Sequence, residues 1–385
     1  MSLGIYIQVP FCQSKCTYCN FHTGVFSPAL YAPYVEAVCK EIRGHRNRFA
    51  SAGISLPENA AVDTVYVGGG TPSLLTPDAL AHLLAALREE FDWRCEEVTL
   101  EADPETIVAE KAGAWRAAGF NRISLGAQSF EDTELRAAGR IHRREDIFVA
   151  TRLLRSAGFE NLSFDLIAGL PHQTAVSWEN TLNCALELRP EHISSYLMEI
   201  DEGSRLGREV LSGGRRYSAE ALPADDEMAD FYERACARLA AAGYEHYEIS
   251  NWALPGFRSR HNLKYWRREP YLGFGAGAHS FNGAVRWANP HDPASYSAAV
   301  RQGMVSIEQR ETLTPAQALD EELFLGLRQL EGIDLARIEQ AYQVSLRPRL
   351  ANLQQAGLVE LEGSRLRLAP SRLAVSNEVF VELMA

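Results

Sequence analysis

The sequence predicts an α/β protein, a parallel sheet covered by helices and followed by a small α+β domain. Short apolar runs alternate with helical patterns six times over the first half. Chemically distinctive residues fall at the C-terminal ends of those runs, where ligands collect in parallel sheets. Past residue 312 the texture changes to helical patterns and one hairpin.

GIYIQV (residues 4–9) is the first expected strand. Like the other runs it is apolar on both sides, as strands buried on both faces must be. Val35, Val38 and Ile42 then share a helical face. DTVYVGGG (63–70) is a strand ending in glycines, and Leu80, Leu83, Leu84 and Leu87 form the next helical stripe. EVTLEADP, RISLGAQS and LSFDLIAGLP continue as strands, with helices expected over 105–118, 146–157 and 176–188. HISSYLMEI (192–200) closes the series. A partial barrel and an open doubly wound sheet fit this pattern equally.

A stretch rich in glycine and charge (204–226) is expected to be a mobile connection or lid. A helix over 228–242 and a strand HYEISNWA (246–253) follow. GFGAGA (273–278) fits a loose dinucleotide pattern, but no apolar strand is expected before it and no acid follows at the required distance. Helices over 316–330, 338–342 and 347–356 and a hairpin GLVELEGSRLRLA make the last domain winged-helix-like. The expected divisions are 1–225, 226–305 and 306–385.

The formal charge of −12 argues against a general nucleic-acid role. The terminal hairpin mixes both signs, against a DNA-binding regulator. No basic and apolar leader opens the chain, and no apolar run approaches the roughly 18 residues of a membrane span. A cytoplasmic protein is expected, with peripheral contact at the inner face of the membrane as its reach. Of seven cysteines, Cys39, Cys95, Cys184 and Cys236 are scattered, as expected of core residues.

Cys12, Cys16 and Cys19 are different: they form C-x3-C-x2-C within VPFCQSKCTYCNF. Zinc sites usually combine two separated pairs, and no second pair exists, although His22 lies close enough to complete a zinc set. Three clustered thiolates can instead hold three irons of a [4Fe–4S] cluster and leave the fourth iron open.

This loop, placed after the first strand and carrying Tyr18 before its last cysteine, resembles the radical S-adenosylmethionine (SAM) superfamily. The resemblance implies a partial (β/α)6 barrel and SAM chelated by the open iron. It also implies reductive cleavage of SAM to methionine and a 5′-deoxyadenosyl radical. By the same resemblance, Gly68, Gly69, Gly70 and Thr71 contact the methionine moiety. Glu101 accepts from the ammonium or ribose hydroxyls. Tyr6, Tyr18, Gln128, Arg140 and Asp165 complete the SAM site. Relatives often carry His where this chain has Gln8.

Over nearly the whole chain the sequence is similar to the family of oxygen-independent coproporphyrinogen III dehydrogenase (HemN) and the haem chaperones (HemW). The dehydrogenase has a further cysteine two residues after the third, where this chain has Phe21, and an N-terminal arm that is not expected here. The chaperone motif H-N-x-x-Y-W is present as HNLKYW, with His261, Asn262, Tyr265 and Trp266. It implies haem binding through these residues, with Arg258, Arg260, Lys264, Arg267 and Arg268 facing the propionates. The expected cofactors are a [4Fe–4S] cluster, SAM and haem. The expected partners are recipient haemoproteins, respiratory membrane complexes among the candidates, with a homodimer compatible and no nucleic acid. The alternative is the dehydrogenase, which decarboxylates two propionates.

Overall fold

A computed structural model describes residues 2–56, 60–304 and 307–384. Its central feature is six parallel strands in sequence order. They are β1 (Ser2–Val9), β2 (Ala61–Gly69), β3 (Trp93–Ala102), β4 (Arg122–Gln128), β5 (Leu162–Ala168) and β6 (His192–Leu197). Helices α1 (Tyr31–Ser51), α2 (Pro77–Glu90), α3 (Ala109–Ala118), α4 (Arg144–Ser156) and α5 (Ala175–Leu188) connect them. The six strands follow one another without the order reversal of a doubly wound sheet, and the sheet does not close on itself, so the partial (β/α)6 barrel expectation holds. Ile5, Ile7, Val65, Val67, Val98 and Leu100 are buried within it. The leucine stripe of α2 is buried too, each side chain contributing about 2 kcal/mol of apolar burial. Thr76 caps that helix by accepting the Ala79 N–H, with Pro77 in the first turn, where its missing donor costs nothing.

Three segments differ from the sequence expectation. The single strand over 246–253 is a tight hairpin, β7 (Glu245–Glu248) and β8 (Asn251–Ala253), at the β6 edge. Glu248 sets its turn by accepting the Ser250 amide at 3.1 Å and the Asn251 side-chain amide. GFGAGA begins inside a short strand, β9 (Tyr271–Phe274), whose last two residues are its Gly273 and Phe274 and which pairs parallel to β1. No helix succeeds it; the chain turns back into β10 (His279–Phe281), β11 (Val285–Ala288) and β12 (Gln309–Thr312), all antiparallel. Gly273 is required there, because a Cβ would stand 2.1 Å from the His279 carbonyl. The third segment, 204–226, is helical at Arg205–Leu211 and then turns through left-handed residues at Tyr217 and Ser218, and α6 begins at Asp225 (Asp225–Ala241).

Buried Glu41 of α1 fastens the β9–β12 extension. It accepts from Gly275 N–H at 2.9 Å, from Asn289 at 2.7 Å and from Tyr296, and pairs with Arg48. The C-terminal domain contains α8 (Pro315–Gly326), a three-stranded sheet of Ile333–Asp334, Val359–Glu362 and Arg365–Leu368, and helices to Met384. It docks on the barrel through Arg286–Glu321 at 2.6 Å, Arg268–Glu321 at 3.3 Å and Arg328–Glu248 at 3.6 Å. Among the described residues, no helix is long and apolar enough to cross a membrane.

Candidate functional site

The C-terminal ends of the six strands open into a cavity of about 760 Å³. Cys12, Cys16 and Cys19 line one side; the C-terminal domain closes another with Leu373, Ala374 and Asn377. Cys12 ends a two-residue strand, Phe11–Cys12, paired to Gly24–Val25. Two contacts clamp the loop that follows. Thr17 N–H donates to the Ala138 carbonyl at 3.0 Å, and Leu206 N–H donates to the Thr17 carbonyl at 2.8 Å. Arg205 also donates to the Lys15 carbonyl, so the expected lid is packed onto the cysteine loop.

The three thiols are free and partly buried. Burial pushes Cys12 up to about 11 and raises Cys16, on which Arg140 acts in the opposite direction. Holding Cys12 and Cys16 as thiolates therefore needs a cationic partner, which iron would supply. Among the described residues, no three or more His, Cys, Asp or Glu side chains converge on a single-ion site. Three thiolates that each serve a different iron need not converge on one point. Gly70 passes so close that a Cβ would stand 2.5 Å from the Phe11 carbonyl and 2.9 Å from Cys12 Sγ. Three soft donors on one clamped loop, beside bare backbone, fit a [4Fe–4S] cluster.

A polar wall faces them. Glu101 ends β3 and accepts from Tyr66 Oη and the Gly69 N–H, both at 2.8 Å. Burial is the main reason its carboxyl rises to about 7. Thr71 Oγ1 donates to Asp103 at 2.9 Å. Arg140 donates to Asp103, to the Gly126 carbonyl at 2.9 Å and toward Cys16 Sγ at 3.6 Å. Ser124 donates to Asp165 at 3.1 Å, and burial raises that carboxyl. Gln128 takes a positive φ of 63° at the end of β4, and Tyr6 Oη donates to Gln8 at 2.7 Å. Tyr18 also lines the cavity. Gly68 leaves room for Glu101, whose carboxyl a Cβ would approach to 2.9 Å. Backbone cradle, carboxylates and guanidinium together suit a zwitterionic ligand with ribose hydroxyls.

The HNLKYW motif forms α7 (Arg260–Trp266), and its four singled-out residues line the same cavity. His261 is buried, its Nδ1 at 3.0 Å from Thr64 Oγ1 and its Nε2 at 2.9 Å from Tyr265 Oη. Its ring stacks on Tyr66 at 5.3 Å. Burial, then Lys264 and Arg122, lower it to about 3, which keeps the imidazole neutral. Trp266 lies under Arg328, and its buried Nε1 has no partner among the described residues. The five neighbouring cations already face carboxylates: Arg258 Glu245, Arg260 Glu96, Lys264 Asp63 and Glu269, Arg267 Glu331, and Arg268 Glu321. Sequence reasoning placed Asp103 with Glu101 at the end of the third strand but gave it no role in the site, and it did not single out Tyr66 or Arg122, which look like ordinary strand residues.

The Radical SAM superfamily model matches residues 6–185, and that of the HemN C-terminal domain matches 313–371. The heme chaperone HemW of Bacillus subtilis is 34% identical, over 97% of both chains. HemW of Synechocystis is 36% identical, over 93% of this chain and 85% of its own. The solved structure of coproporphyrinogen III oxidase (HemN) from Escherichia coli, a radical SAM enzyme, is 25% identical with a TM-score of 0.83, covering 100% of this chain and 90% of that one. With its cysteine loop, strand-end cavity and C-terminal domain so matched, the chain belongs to the HemW family of radical SAM proteins.

Proposed function

We propose that this protein is a cytoplasmic haem chaperone that binds haem and passes it to recipient haemoproteins. What supports this most is the full-length likeness to haem chaperones in a chain whose His261, Asn262, Tyr265 and Trp266 share a cavity with three cysteines. Cys12, Cys16 and Cys19 would hold a [4Fe–4S] cluster. The backbone of 68–71, Glu101, Gln128, Arg140 and Asp165, with Tyr6 and Tyr18, would hold SAM. When bound, the cluster supplies a low-potential electron and an open iron for the SAM amino and carboxylate groups. Tyr265 and Trp266 offer flat surface to a macrocycle. His261 presents a neutral imidazole to iron once Tyr265 turns away from Nε2. Phe21, where the dehydrogenase has a further cysteine, weighs against that enzyme. Incubation with coproporphyrinogen III, SAM and a reductant should yield no protoporphyrinogen; robust turnover would replace the chaperone by the dehydrogenase.

Glu101 gives a pH signature. Its ionised carboxylate is the form that accepts from SAM hydroxyls or ammonium, so SAM affinity should rise with pH through about 7 and then level. Without ligand the sign is opposite for stability. A carboxyl raised on folding favours the folded state below its unfolded value, and this contribution is lost as pH rises through the folded one. Calorimetric titration of Glu101→Gln should show weaker SAM binding with this pH dependence gone. An unchanged profile would remove Glu101 from the site.

A further inference from the structure

Two of the chain's ten histidines, His22 and His291, meet outside the cavity, where the cysteine loop and the segment after β11 come together, with His279 of β10 nearby. The rings of His22 and His291 lie 4.0 Å apart at 33°. His279 stands close enough for both to disfavour its protonation. His22 and His279 are exposed. His291 Nδ1 is buried without a hydrogen-bond partner among the described residues. The packing of the pair depends on Gly277, where a Cβ would reach 3.1 Å from His291 Nδ1. Lys15 pins the segment carrying His22 by donating to the Phe21 carbonyl at 2.8 Å and the Thr23 carbonyl at 2.9 Å.

The surroundings suit one kind of ligand. Burial and the neighbouring charges lower His22 and His279, so their imidazoles are neutral donors at physiological pH. Phe21 is 66% exposed and Val25 62%, an outlay of apolar surface on the same loop that a bare metal ion would not use. No three acidic, thiol or imidazole groups among the described residues converge on a single ion, but haem iron needs only one imidazole from the protein. The two rings pack 4.0 Å apart and tilted by 33°, too close for an iron to sit between them, so they cannot ligate opposite sides of one iron. One serves as ligand and the other as the surface that orients it.

We infer that this cluster is a second haem-ligating site, at the protein surface, with His22 as the axial ligand, His291 as the ring that positions it and Phe21 as the macrocycle contact. The inference rests on the haem-chaperone reading. Neutral His22 donates a nitrogen lone pair to ferric iron and displaces a bound water; no electron is transferred and no proton is released. Its place on the surface beside the cavity makes it a point where haem is taken up or handed on, distinct from the motif on α7.

The full-length protein, titrated with ferric haem and followed through its Soret band, tests this. His261→Ala should retain an imidazole-ligated haem population. His22→Ala/His291→Ala should lose that population, with at least a tenfold fall in its affinity, while its thermal melt stays close to that of the wild type. Should the double variant fail to fold, carbethoxylation of the wild type decides: haem should protect His22 and leave His82 equally modified. Equal haem binding by the double variant, or equal modification of His22 with and without haem, overturns the surface site. Haem bound wholly through His261 defeats this inference and spares the chaperone reading; a wild type that binds no haem defeats both.

Discussion

Replacing Cys16 by alanine should abolish the iron–sulfur cluster. Anaerobic reconstitution of the unaltered chain should give about four irons per chain and the broad visible absorption of a [4Fe–4S] centre. Cys16→Ala should give neither. The loop is held on both sides by backbone hydrogen bonds of Thr17, and among the described residues no cysteine besides Cys12, Cys16 and Cys19 lines the cavity to fill the gap. The scattered cysteines are poor substitutes, since Cys39 and Cys184 are buried in core positions. An intact four-iron centre in this variant would contradict the assignment of the loop.

Arg140→Ala should be among the most destabilising single changes around the cavity. Its side chain is 8% exposed and that of its partner Asp103 is 18% exposed. Removing the guanidinium leaves the Asp103 carboxylate with Thr71 alone among the described residues and strips the Gly126 carbonyl of a donor. Breaking a buried pair from one side costs about 3–5 kcal/mol, because the remaining charge is uncompensated. Urea unfolding of the cofactor-free protein should show a loss of that size. Arg140→Lys should lose less, keeping the charge without the planar fork. A change within about 0.5 kcal/mol for Arg140→Ala would show Asp103 to be well solvated. The same substitution should loosen Cys16, so iron uptake should slow even where the fold survives.

The barrel was legible because its signals are local. Each strand is a continuous apolar run, each covering helix has a stripe, and the site residues sit where the runs end. That placed Cys12, Gly70, Glu101, Gln128 and Asp165 in one region before any coordinates. The antiparallel extension was not legible. Its strands span only three or four residues, and their partners are set by distant contacts such as Glu41 with Gly275, Asn289 and Tyr296. The hairpin within HYEISNWA lacks glycine or proline at its turn; a side chain, Glu248, does the turning. Arg140 could be reached only through resemblance, since an arginine in a loop usually faces solvent. The cations around HNLKYW illustrate the converse. Sequence shows their charge, but only the fold reveals the acids that already meet them.

The cavity also bears on how the two halves of the proposed function coexist. The three thiols and the α7 motif open onto one space, so under the proposed function a ligand bound beside Glu101 would border the wall that contains Tyr265 and Trp266. Tyr6, Tyr66 and His261 form a continuous aromatic row between them, with centroids 6.0 Å and 5.3 Å apart. A ligand that shifts Tyr66 away from Glu101 would therefore move the ring on which His261 rests.

The central claim is haem delivery, and transfer to an acceptor tests it most directly. The reconstituted protein, loaded with one equivalent of haem, is mixed with excess apomyoglobin and followed by absorbance. The proposed function predicts a distinct Soret band before mixing, then its replacement by that of the acceptor. It also predicts that the transfer rate depends on the concentration of acceptor. No spectral change on adding haem, or transfer at a rate set only by spontaneous haem release, would contradict it.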